Sequence, residues 1–305
     1  MTTTIDGLHA HDIPGRLSLV TGEAGLPKAV VTTDMSTAEV YLHGAHITHF
    51  QKHGDEPLLF VSRESRFGPG VPIRGGIPIC HPWFGPRDGG PAHGLARLGE
   101  WRFAGASAGA DGSVTLRLGL PPLSGEWSSL DTSLTITVSD ALTMALMTRN
   151  RGADLVRVES CLHTYFRVGD IDAVTLTGLE DAPFDDFAFG AGGARRVEHD
   201  PTLRIFQETN RVYPDNANTV EIHDSSLGRV IRIEKSGSHS TVVWNPWTTQ
   251  KMPDDFDQAE HRQMVCVESG NVKQNAVMLG PGETTTLTVV VSSVRVAVED
   301  GPLRP

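Results

Sequence analysis

The feature that most constrains the fold of this chain is a two-residue hydrophobic period that returns along most of its length. In 113–120, Val114, Leu116, Leu118 and Leu120 share a face opposite Thr115 and Arg117. In 132–138, Leu134, Ile136 and Val138 alternate with Ser133, Thr135 and Thr137, and the pattern resumes with Leu142, Met144 and Leu146. Further runs occupy 155–159, 219–223, 229–234, 240–244, 264–268 and 284–298, the last rich in Thr and Val. Successive side chains of a strand point to opposite sheet faces, so this alternation predicts half-buried strands. The 32 glycines and 19 prolines fall between the runs, where turns need them.

Helical periodicity is scarce. The best candidate, 253–263, is short and acidic and reads equally as a loop with one helical turn. There is no repeating βα alternation, which argues against a doubly wound parallel sheet. No repeat or linker divides the chain. The expected architecture is an all-β antiparallel sandwich forming one domain over 1–305, with the first ~25 residues peripheral to it.

Composition narrows the function. With 39% hydrophobic and 21% charged residues, the chain can bury a large core. Its 26 basic and 37 acidic residues leave a net charge of −11. A nucleic-acid or anionic-membrane partner would need a basic face, so neither is expected. A small anion held by a few local arginines remains compatible. No apolar run reaches the ~18 residues of a membrane span. Cys80, Cys161 and Cys266 form no CxxC pair and sit among apolar neighbours, which predicts buried, reduced thiols and a cytoplasmic setting.

His43, His46 and His49 follow an HxxHxxH spacing, which on a helix would gather metal ligands. The neighbours are β-branched, however, and on a strand His46 points away from the other two, so no metal site is expected there. GxGxxG and GxxxxGK[ST] patterns are also missing, which leaves nucleotide binding without support.

Three segments carry chemistry. In 72–86 (PIRGGIPICHPWFGP), Arg74 precedes two glycines, a setting that brings a guanidinium and backbone N–H groups to an oxyanion. It also fits a proline-rich loop with a surface arginine. In 93–101, His93, Arg97 and Trp101 offer polar donors beside an indole, as a sugar ring requires, although a loop burying one tryptophan has the same residues. His163, in 161–166 (CLHTYF), and Glu268, ending 265–268 (VCVE), sit inside apolar strand runs. Burial raises a carboxyl pKa and tunes a histidine, which suits proton transfer. Taken singly, each also fits an ordinary structural role.

Together with ETNRVY (208–213), VWNPW (243–247) and MVCVESGNV (264–272), these segments resemble in order the hexose-6-phosphate mutarotases, or glucose-6-phosphate 1-epimerases, of the aldose 1-epimerase superfamily. The resemblance covers about residues 30–295. It implies a galactose-mutarotase-like super-sandwich with few short helices and without metal or organic cofactor. The implied activity is interconversion of the α and β anomers of a hexose 6-phosphate. It implies His163 and Glu268 as the catalytic pair, with Glu268 as base and protonated His163 as acid. It likewise implies Arg74 and Arg97 as phosphate ligands and His93 as a contact near C1. Ala92 stands where relatives often carry Gln, and Asn210 where they usually carry Asp, both at the sugar-contacting positions. A neutral-sugar aldose 1-epimerase and a non-catalytic carbohydrate-binding protein are the alternatives. The expected partner is a small sugar phosphate, and the expected state a monomer.

Overall fold

The computed structural model describes residues 5–296. It is built from antiparallel sheets, and the one α-helix among the described residues, Ile5–Leu8, is a single turn. The largest sheet has nine strands, with Thr284–Arg295 between Arg229–Ser236 and Leu142–Asn150. Leu142–Asn150 then continues through Leu130–Val138 to Val114–Gly119. A second sheet of eight strands runs through Thr209–Pro214, Ser240–Asn245, Met264–Asn271, Ser160–Leu162 and Ile79–Cys80. A four-stranded sheet over Leu17–Thr21, Pro27–Thr32, Ser36–Tyr41 and His46–Lys52 and a two-stranded pairing of Val156–Val158 with Val277–Leu279 complete the described sheets.

The strands expected from alternation are present, each within a residue or a few of its run. Thr284–Arg295 stops short of 298, and 297–298 lie outside the described residues. Segment 253–263 is a loop closed by one 3-10 stretch, Gln258–Gln263, where the Asp257 carboxylate accepts the Ala259 N–H.

Two burial patterns explain how the sheets position a site. Leu130–Val138 is buried at every second residue, as a strand with one face on the core must be. Met264–Asn271 is buried at all eight positions. Its Val265 and Val267 join the main core with Val243, Leu162 and Phe166. Met264 and Cys266 face the other way, against Phe60, Trp244 and Phe256. Glu268 shares that outer face, so an apolar-looking strand delivers a carboxyl group to the side of the sheet away from the core.

The three spaced histidines do not converge. The strand begins at His46, leaving His43 in the preceding turn. Nε2 of His43 meets Val71 O at 2.8 Å, that of His46 meets Gly75 O at 2.7 Å, and that of His49 meets Thr37 Oγ1 at 3.2 Å.

Candidate active site

Register builds the site on the outer face of the eight-stranded sheet. Asn210 lies opposite Trp244, Val242 opposite Glu268, and Cys266 between Trp244 and Tyr165. Cys161, His163 and Tyr165 alternate onto the same face, and the His163 N–H is anchored to Pro78 O. A cavity of about 480 Å³ opens here. All six residues singled out from the sequence, Arg74, His93, Arg97, His163, Asn210 and Glu268, line it. The volume falls in the range of small-molecule sites.

The glycines of the first two motifs have steric causes. Gly76 has φ +61°, and a Cβ there would sit 2.3 Å from Ile47 O, so the turn that carries Arg74 closes only without a side chain. Gly94 has φ +78°, and its Cβ would lie 2.1 Å from His81 O. That close approach pins the loop bearing His93 and Arg97. Trp101 is not a sugar platform. It is fully buried, and its Nε1 donates to Ala96 O at 2.8 Å, fixing the 3-10 turn Ala96–Leu98 that holds Arg97.

His163 Nε2 lies 3.2 Å from Glu268 Oε1, and the Cys161 thiol donates to Glu268 Oε2 at 3.6 Å. Burial pushes the Glu268 carboxyl well above its ordinary range, against a smaller opposing effect of the Cys161 bond. Burial, then the nearby His93 and Arg97, hold His163 well below its ordinary value. The low-dielectric wall favours one proton held on the Glu268 side, next to a neutral imidazole. His93 is also neutral, its pKa lowered to about 3 by burial, Arg97 and Lys273. Its Nδ1 accepts weakly from Gly85 N–H at 3.4 Å, which assigns the ring proton to Nε2 as a donor.

Arg74 donates Nε to Asp255 Oδ1 at 2.9 Å. Arg97 donates Nη2 to Ala92 O at 2.8 Å, while its Nε is buried without a partner among the described residues. Ala92 thus shapes the site through its carbonyl. Asn210 accepts Phe187 N–H through its own carbonyl at 2.8 Å and lines the wall without the charge of an aspartate. The sequence did not point to Asp255, Lys273 or Phe187. Tyr165 and Trp244 stood unassigned inside quoted motifs, yet Tyr165 stacks on the His163 ring at 4.9 Å, and Trp244 meets both rings edge-on.

Ligand atoms of His163, Cys266 and Glu268 lie within 4.8 Å of one another, the spacing a metal would need. Burial keeps the Cys266 thiol and the Glu268 carboxyl protonated, and Arg97 places positive charge in the same cavity. Both conditions oppose a cation and favour an anion.

Fold and cavity together define the class, a galactose-mutarotase-like β-sandwich. The chain belongs to the aldose 1-epimerase family, whose model matches residues 28–292. A protein of Cenchrus ciliaris named "Putative glucose-6-phosphate 1-epimerase" is 30% identical over 94% of this chain and 91% of its own length. An Escherichia coli K12 protein of the same name is 32% identical over 79% of this chain and 81% of its own. The crystal structure of a "putative mutarotase (YeaD)" from Salmonella typhimurium superposes with a TM-score of 0.83 at 26% identity, covering 95% of this chain and 99% of that one. No helix among the described residues is long and apolar enough to cross a membrane.

Proposed function

We propose that the protein interconverts the α and β anomers of a hexose 6-phosphate, with glucose 6-phosphate as the preferred substrate. The observation that carries this reading is the meeting of a buried His163–Glu268 pair and the Arg74 and Arg97 guanidiniums in one cavity.

Ring opening needs the C1 hydroxyl proton removed and a proton delivered to the ring oxygen. The C1–O5 bond breaks, its electron pair goes to O5, and a free aldehyde forms. Rotation about C1–C2 and attack of O5 on the opposite carbonyl face give the other anomer. The pair begins and ends each half-reaction with one proton, because one member takes a proton as the other gives one. Moving that proton across 3.2 Å produces the arrangement with Glu268 as base and His163 as acid. Tyr165 and Trp244 offer aromatic faces for the sugar C–H surface, His93 Nε2 offers a donor, and Asn210 offers an amide. The phosphate binds away from C1 through charge-assisted bonds to the arginines, which hold the ring in place for the chemistry.

The test is NMR exchange spectroscopy on the anomeric protons of glucose 6-phosphate, with glucose and galactose in parallel and His163→Asn as control. Faster exchange confined to the phosphorylated sugar and lost in the variant is expected. Equal acceleration of neutral sugars would assign the protein to neutral-sugar mutarotation, and no acceleration by folded protein would make it a binding protein.

A further inference from the structure

We propose that Lys273 is a third cationic ligand of the substrate phosphate, aimed into the cavity by a left-handed backbone that the buried Glu159 carboxylate holds in place. This rests on the reading that the substrate is a sugar phosphate. Lys273 follows the Met264–Asn271 strand and has φ +57°, a conformation that side chains other than Asn, Asp and Gly rarely adopt. Such backbones persist where surrounding bonds impose them, and they cluster at ligand sites.

Here the bonds are specific. Lys273 N–H donates to Glu159 Oε1 at 2.8 Å, and Lys273 O accepts from Arg157 Nη2 at 3.0 Å. Arg157 Nη2 also donates to the same Glu159 Oε1 at 2.8 Å. The other carboxylate oxygen of Glu159 accepts Phe84 N–H at 2.8 Å. One side chain, 5% exposed, therefore ties Lys273 to the Phe84–Gly85 wall of the cavity.

The ammonium that results lies 4.7 Å from the Phe187 ring centroid. It is also 3.8 Å from the point where a side chain at Gly85 would begin. Among the described residues it makes no ion pair with a carboxylate. Charge balance then favours the assignment. The phosphate brings close to two negative charges. Arg74 is already neutralised by Asp255, and Lys251 stands exposed at the rim. Arg97 and Lys273 are the two cations whose charge reaches His93, and neither is paired with an acid among the described residues. Together they match the charge of the phosphate.

The experiment compares wild type with Lys273→Met, which keeps the contact with Phe187 and removes the charge, and with Lys273→Gly, which also relaxes the backbone. Steady-state exchange rates on glucose 6-phosphate and on glucose are measured with and without inorganic phosphate as competitor. Expected for both variants are a roughly tenfold higher KM for the phosphorylated sugar, kcat within about threefold, and unchanged behaviour on glucose. The inhibition constant of phosphate rises by the same factor, and Lys273→Arg restores most of the loss. If KM and the phosphate constant stay at wild-type values in both variants, Lys273 only packs on Phe187 and the proposal fails. Calorimetric titration with inorganic phosphate separates the two readings. If the wild type accelerates no sugar yet binds phosphate, and Lys273→Met binds it tenfold more weakly, the anion site stands and the mutarotase reading falls. A wild type that binds no phosphate overturns the lysine assignment.

Discussion

Arg74 enters the cavity with its Nε already bonded to Asp255 Oδ1 at 2.9 Å, so the direction of the guanidinium is set by a residue 181 positions away. Asp255 is 6% exposed, and its carboxylate holds the fork while the two Nη groups remain for the ligand. Asp255→Ala frees the side chain to swing. The expected outcome is a KM for glucose 6-phosphate raised about tenfold, roughly 1.4 kcal/mol, with kcat and the rate on glucose little changed. Asp255→Asn keeps an oxygen in place for Nε and should recover most of the loss. Equal KM values for Ala and wild type would show that the pair does not position Arg74.

The His163–Glu268 pair predicts a pH profile. With His163 held below its ordinary value and Glu268 above its own, a wide interval exists in which the pair carries one proton. Activity should fall on the acid side as the imidazole takes a second proton, and on the alkaline side as the shared proton leaves. The two apparent pKa values belong to the pair. Glu268→Gln removes the exchangeable carboxyl and should lower kcat by about 10²–10⁴-fold, with KM for the phosphorylated sugar nearly kept. A single-limbed profile, or a kcat above a tenth of wild type in that variant, would contradict the shared-proton account.

Much of the fold was legible because the sheets are antiparallel and one-sided. Leu134, Ile136 and Val138 announce their strand through a polar opposite face. Met264–Asn271 was legible as a strand over 264–268 but not as one covered on both faces, where Glu268 reads as an isolated acid among apolar residues. His163 and Glu268, like the arginines, became readable as a set only through ordered motifs. Asp255 and Lys273 were not legible. The first acts through a pair that only the closed fold creates, and the second depends on a backbone angle imposed by Glu159, 114 positions earlier. Trp101 shows the converse. An indole beside a histidine and an arginine has the composition of a sugar platform, and only packing shows that it supports a turn from beneath.

Stability should fall on acidification within a definable window. His46 and His81 are fully enclosed, and burial lowers each to about 3 from 6.5. Both stay neutral in the folded state while the unfolded chain protonates them below pH 6.5. Folding stability is therefore complete above pH 6.5 and is lost as pH falls toward 3, by up to ~1.4 kcal/mol per pH unit for each histidine. Melting temperature should drop steadily between pH 7 and pH 5. His81→Gln can still bond Ser160 and Thr132, the partners His81 meets at 3.0 and 3.2 Å, and should flatten that slope. A variant as acid-sensitive as wild type would remove His81 from this account.

Gly94 links the loop geometry to the site. Its φ is +78°, and a methyl carbon added there would fall 2.1 Å from His81 O, which leaves no room for alanine. His81 N, at 3.0 Å, closes the other side, and both obstacles are backbone. Gly94→Ala should therefore destabilise the protein by more than about 2 kcal/mol, lowering the melting temperature. It should also raise KM for the sugar phosphate, because His93 and Arg97 flank the displaced segment. Gly89, also at positive φ but with open space around its Cβ position, is the control. Gly89→Ala should cost only the backbone strain, about 1 kcal/mol, and leave KM unchanged. Were the two substitutions to cost the same, the contact with His81 would not be what requires glycine at position 94.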